Sequence, residues 1–234
     1  MNKKSNQVLF LLALTIMMPL HLPKVIAQTI QVQNNSNNNW EKAFEDLFNQ
    51  SENPPVKPKE GTSRGTDLCL VSPGIIEVEG KIWNTRPIFI WQGKLNRIEI
   101  RPSNSGEVLW TFDIQENEEI VDYTGEELEP GNTYRWRIFD STNSIAGMQQ
   151  RTFEIMDVEE HEAITQELAQ LDRDLNKQGA TEKEDIAFAR FQFFAERDLW
   201  SDALSEVFKI KKPSMELKAF RRNILQRLCQ EEQN

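Results

Sequence analysis

From Leu68 to Met156 apolar side chains recur at every second position, and this alternation constrains the chain more than any other feature. A strand that alternates in this way buries one face and wets the other, so its apolar set must meet a second layer. Seven short runs carry the pattern: "LCLVSP", "RPIFIWQG", "LNRIEIRP", "EVLWTFDI", "EEIVDYTG", "NTYRWRIF" and "QRTFEIM". Phe89 and Trp91 share a face of the second run. Ile98 and Ile100 oppose Arg97, Glu99 and Arg101 in the third, and Val108, Trp110, Phe112 and Ile114 align in the fourth. Turn-forming clusters such as "PSNSGE" separate the runs. The pattern predicts an antiparallel β-sandwich over residues 67–157. In "TYRWRIF", Tyr134, Trp136 and Ile138 fall on the core side, and Arg135 and Arg137 on the wet side. Just before them, "LEPG" reads as a turn. A tyrosine at this point can return its hydroxyl to a nearby backbone group.

After Asp157 the period changes to 3.6. "VEEHEAITQELAQLDRDLNKQG" aligns Ile164, Leu168, Leu171 and Leu175, begins acidic and stops at Gly179. Thr181 and Glu184 form a capping box for "TEKEDIAFARFQFFAERD". "SDALSEVFKIKKP" and "SMELKAFRRNILQRLC" follow, parted at Pro213. The expected fold class is therefore α+β: a sandwich of about seven strands, then a C-terminal bundle of about four helices over residues 158–232. "RTFEIMDVEEHE" leaves almost no linker between the two, which predicts that they touch.

Two stretches resemble known modules. "LVSPG…TRPIFIW…LNRIEIRPSNSGEVLWTFDI…LEPGNTYRWRIFD…RTFEIMD" resembles the fibronectin type III and immunoglobulin-like modules of exported bacterial proteins. It is similar in particular to a secreted cyanobacterial family of unknown function. The likeness covers about 90 residues. It rests on a proline and aromatic opening to strand B, a glycine turn between C and C′, and L-x-P-G-x-x-Y-x-W near strand F. It implies a sandwich fold and an exported setting, and brings no catalytic residues. Residues 182–213 resemble a degenerate tetratricopeptide hairpin, with Phe194 and Ala203 at the large and small packing positions. Where that pattern prefers glycine at the inter-helix turn, this chain has Asp198. One repeat cannot bury its face alone, so the helices must pack on one another or on the sandwich.

The first residues read as an export signal. Lys3 and Lys4 precede the uncharged run "VLFLLALTIMMPL", and Val25 and Ala27 suit a cleavage site, so the expected mature chain begins at Gln28. A run of 13 residues is short of the roughly 18 needed to span a bilayer, so no stable membrane span is expected after cleavage. Residues 28–66 form a polar linker rich in Asn, Pro and Gly. Within it, residues 39–49 present Trp40, Phe44, Leu47 and Phe48 at helical spacing, with Asn39 as a cap. These four are the candidate partner-binding residues, and docking on their own domain is the favoured alternative. Cys69 and Cys229 are the chain's two cysteines. Export permits a disulfide, but spacing alone cannot bring the two together, and two separate buried thiols are the favoured reading.

Composition excludes one class of partner. Removing residues 1–27 removes three lysines and no acid, which takes the net charge from −10 to −13. Nucleic acid is therefore not an expected partner. The motifs for chemistry are weak. "GTSRG" places Ser63 in a proline-rich linker, without the strand and helix that a nucleophile elbow needs. His161 sits among acids at a helix start, where it is expected to be solvated, and no second histidine of the mature chain can complete a metal set. The acids of "ENEE" (Glu116 to Glu119) and "DVEEHE" (Asp157 to Glu162) lie where solvated carboxylates usually lie. Neither run has the spacing of a calcium loop. No catalytic residue, cofactor or metal is expected. The expected function is a non-enzymatic, exported interaction module of the periplasm or cell surface, contacting an envelope or secreted protein. The alternative is a carbohydrate-binding module for cell wall or exopolysaccharide, which needs outward rings, for instance among Phe89, Trp91, Tyr123 and Phe139.

Overall fold

The computed structural model describes residues 39–51, 54, 68–74, 80–116, 118–139 and 148–229. Its elements run α1 (Trp40–Gln50), β1 (Cys69–Ser72), β2 (Lys81–Ile82), β3 (Ile88–Gln92), β4 (Arg97–Pro102), β5 (Trp110–Asp113), β6 (Ile120–Asp122), β7 (Thr133–Phe139), β8 (Met148–Ile155), α2 (Val158–Lys177), α3 (Lys183–Ala195), α4 (Trp200–Phe208) and α5 (Met215–Cys229). Two sheets form, in the orders β1-β3-β6 and β2-β8-β7-β4-β5. The strand beyond the expected seven is β2. It pairs parallel with β8, in a sandwich whose other pairings are antiparallel.

The three-stranded sheet is apolar on both faces. Leu70, Phe89, Trp91 and Val121 turn toward the five-stranded sheet and join Ile98, Ile100, Trp136 and Phe153 in one core. The alternate residues Cys69, Val71, Ile88 and Ile90 turn the other way and join the helices in a second core. Consequently every residue of Ile88–Trp91 is buried. The architecture is three layers: outer sheet, inner sheet, helices. The outer face of the five-stranded sheet stays wet, as the alternation in "TYRWRIF" predicts: Tyr134, Trp136 and Ile138 are buried, and Arg135 and Arg137 are partly exposed. Gly131, with φ of 76°, follows Pro130 in the turn that starts β7, where a left-handed backbone favours glycine. The Tyr134 hydroxyl accepts from the Glu129 amide at 2.9 Å, the expected corner contact.

Among the helices, α4 is buried at all nine positions, including the charged Asp202 and Glu206. Buried charge is tolerated only when partnered. Asp202 accepts from the backbone amides of Trp83 and Asn84 at 2.8 and 2.9 Å, tying α4 to the connection that leads into β3. Glu206 meets Lys209, and Arg190 at 3.9 Å. The Trp83 ring lies across α2 and α3. It stacks on His161 and packs on Phe194, and its indole donates to the Thr165 hydroxyl at 3.0 Å. Arg221, its pKa lowered by burial, donates to the carbonyls of Val207 and Ile210 and so caps the end of α4.

Helix starts match the reading in part. Asp157 caps α2 by accepting from the Glu160 amide at 2.9 Å. The Thr181–Glu184 box does not form: α3 begins at Lys183 without a side-chain cap, and Glu184 accepts instead from the Ser214 amide ahead of α5. Asp198, in the turn between α3 and α4, has φ of 57°, the left-handed conformation for which glycine is the usual choice.

Two expected outcomes follow from the two places where the layers meet. Asp202→Ala leaves two amides without their acceptor and lowers unfolding free energy by about 2–4 kcal/mol. Asp202→Asn keeps one acceptor oxygen and loses about half as much, which urea denaturation resolves. Reduction of the Cys69–Cys229 bond, whose loop spans 160 residues, removes about 5 kcal/mol in the chain-entropy account.

Candidate functional site

The end of the sandwich nearest the "PSNSGE" turn opens into a groove of about 760 Å³. One wall is the turn from Pro102 to Leu109, and the other is the connection from Tyr123 to Tyr134. The second wall is fixed to the β2–β3 connection, because the Leu128 amide donates to the Thr85 carbonyl, and the Arg86 guanidinium to the Gly125 carbonyl at 2.7 Å. Four carboxylates line the groove: Glu107, Glu126, Glu127 and Glu129. Thr85 donates to Glu127 at 2.5 Å and Asn132 to Glu129 at 2.9 Å, both neutral donors. Among the described lining residues none is basic. Val108 and Leu109 lie beside these acids and are 42% and 40% exposed. Val108 thus stands outside the core face expected for it, because β5 begins only at Trp110.

Tyr123 is 4% exposed, and its hydroxyl has no hydrogen-bond partner among the described residues. Burial raises its pKa above the usual phenol value, with Tyr134 and Glu126 adding to the effect and Arg86 opposing it. The hydroxyl lies so close to Gly125 that a β-carbon there would come within 2.5 Å of it. This packing makes the phenol part of the groove wall.

A second cavity, of about 1000 Å³, opens where α3 begins and α4 ends. Lys183, Lys209, Lys211 and Lys212 line it together with Glu182, Glu184 and Asp185. At its floor Arg190 holds Asp172 through two bonds of 3.0 and 2.6 Å and approaches Glu206. Opposite charges are interleaved there, so the cluster compensates itself.

The residues singled out from sequence are dispersed. Trp40 and Phe44 are 1% and 2% exposed and lie among Phe188, Phe191, Trp200 and Phe220. Leu47 and Phe48 are half-buried, with the Arg227 guanidinium 4.3 Å from the Phe48 ring. The face of α1 offered as bait for a partner is therefore docked on its own chain. The physical reason is that α3 and α5 carry an aromatic surface that needs cover. Cys69 and Cys229 are bonded, with Cα atoms 5.7 Å apart, contrary to the favoured reading of separate thiols. His161 is stacked on Trp83 rather than freely solvated. Ser63 lies outside the described residues. Glu118 accepts from the Gln115 amide, and Glu160 pairs with Lys81 at 3.3 Å, so acids of both runs have structural contacts. Phe89 and Trp91 are fully buried, Tyr123 nearly so, and Phe139 is half-buried beneath Arg137. No flat aromatic platform for a sugar arises from these rings. Among the described residues no group of three or more His, Cys, Asp or Glu side chains could hold a metal ion, and no helix is long and apolar enough to cross a membrane. Sequence reasoning missed the groove acids Glu107 and Glu126 because they belong to separate loops, and no spacing rule joins them.

No protein-family model matches the chain, and no curated protein matches it. Among solved structures, the chain is similar to an α-L-rhamnosidase from Dictyoglumus thermophilum, with 23% identity and a TM-score of 0.25. That match takes in 40% of this chain and 12% of the other.

Proposed function

We propose that the chain is an exported, non-enzymatic accessory module of the cell envelope that works by contacting another protein. The observation that supports the exported part of this reading is the Cys69–Cys229 bond between β1 and α5. Such a bond persists in oxidising compartments and is rare where thiols are kept reduced. The export signal read from residues 1–27 is independent of it and agrees with it.

The finer architecture is proposed as an immunoglobulin- or fibronectin-like sandwich followed by a tetratricopeptide-like hairpin. Support for the first comes from the corner bond of Tyr134 and from a three-stranded sheet facing a larger one across an aromatic core. Support for the second comes from Phe194 and Ala203, buried between α3 and α4, and from Asp198 holding the left-handed turn position. Against the carbohydrate reading stands the burial of Phe89, Trp91 and Tyr123, with Phe139 half-buried beneath Arg137. The interaction reading keeps a groove lined by four carboxylates and the exposed Val108 and Leu109, with no basic residue among its described lining residues.

Expression of the full chain in its native host, with photo-crosslinking residues at exposed positions around the groove, tests the reading. The expected result is envelope-associated protein that begins at Gln28, shifts in mobility on reduction, and cross-links to one protein species. A chain held reduced inside the cell, or cross-linked to polysaccharide alone, overturns it.

A further inference from the structure

We propose that the groove at the end of the sandwich, together with the free edge of β5, receives an extended partner peptide in which basic and apolar side chains alternate. This rests on the interaction-module reading and adds the chemistry of the partner.

Charge is the first argument. Elsewhere on the sheets carboxylates meet arginines, as in Arg97 with Asp113 and Arg101 with Glu99. In the groove the acids have only neutral donors, or accept from no donor among the described residues in the case of Glu107 and Glu126. Like charges gathered around a concave, low-dielectric wall focus their field and favour a cationic occupant. Discrete metal binding does not fit, because no three of these groups converge among the described residues.

The second argument is shape and polarity. Val108 and Leu109 are exposed beside the acids, so the site suits a ligand with apolar groups as well as cationic ones. The β5 strand that follows them ends the order of the five-stranded sheet, paired with β4 alone among the described strands. Its start is irregular: the Leu109 amide donates to the Ile100 carbonyl, although Ile100 stands opposite Trp110. From Trp110 to Asp113 the strand carries no lysine or proline to block addition of another strand. An edge of this kind supplies backbone hydrogen bonds to an extended peptide, and side-chain pockets then give specificity.

Tyr123 is the third. Its buried hydroxyl, like that of Ser103, is a polar group of the groove wall without a partner among the described residues, able to donate to a carbonyl of an incoming backbone once that backbone is seated. A sugar would call for a ring face, and Tyr123, Tyr134 and Trp110 are only 4%, 4% and 9% exposed.

The test is calorimetric titration of the oxidised full chain with acetyl-Lys-Val-Lys-Val-Lys-amide. The controls are the corresponding glutamate peptide and a glucosamine tetrasaccharide. One peptide should bind per chain, and binding should weaken as salt rises while the glutamate peptide stays inert. Glu107→Gln with Glu126→Gln should weaken it by about tenfold or more, the step that corresponds to roughly 1.4 kcal/mol. Tyr123→Phe, which removes a hydroxyl without a partner, should leave the melting temperature unchanged or raised while affinity falls several-fold. Absence of binding, binding indifferent to salt and to the double substitution, or saturable binding of the tetrasaccharide in place of the peptide overturns the proposal. If any of these occurs while the in-host cross-link to one protein persists, the basic–apolar peptide assignment fails and the module reading stands.

Discussion

A sheet of three short strands, apolar on both faces, is the constraint to which the rest of the structure answers. Leu70, Phe89 and Trp91 need the five-stranded sheet, and Val71, Ile88 and Ile90 need something on the opposite side. A sandwich alone would leave the second set in water. The helices supply that cover, which makes them a third layer of the fold rather than an independent repeat hung from its end. Their own aromatic surface, centred on Phe191 and Phe220, is covered in turn by Trp40 and Phe44 of α1. Each layer leaves an apolar remainder for the next.

The contacts between layers divide by environment. The Lys211–Asp122 pair is exposed on both sides, and pairs of that kind contribute little. The Asp202 carboxylate is buried and bound to two backbone amides, so it fixes position as well as energy. Trp83 works in the same place by ring contact, touching α2 through His161 and α3 through Phe194. Connection, carboxylate and ring together hold β2 and β3 against the helices, and the same connection anchors one wall of the groove through Thr85 and Arg86.

Much of this was legible in the sequence, and the reasons for the rest are physical. Alternation gave the faces of β4 and β7 because those strands have one wet side. In "IFIW" it put Phe89 and Trp91 on one face but could not say which face was wet, because a strand buried on both sides has no polar phase to read. Ile88 and Ile90 were the available signal for a covering layer. The two-residue β2 was too short to carry a period. The helical capping box at Thr181 and Glu184 matched the pattern but lost its glutamate to the Ser214 amide, a tertiary contact that local sequence cannot announce. Asp198 was readable as a departure from glycine, and its backbone adopts the glycine-like conformation all the same. The groove was not legible, since Glu107 and Glu126 meet only through the folding of two separate loops.

The sulfur bridge also determines how the molecule would carry a mechanical load. Cys69 lies in the first strand and Cys229 at the end of the last helix. A pull applied between the stretch before β1 and the stretch after α5 would first strip α1 from its seat. It would then pass straight through the sulfurs, leaving both sheets and the four helices between them slack. As long as the bond is oxidised, the module is a short inextensible link with a folded body hanging beside the line of tension.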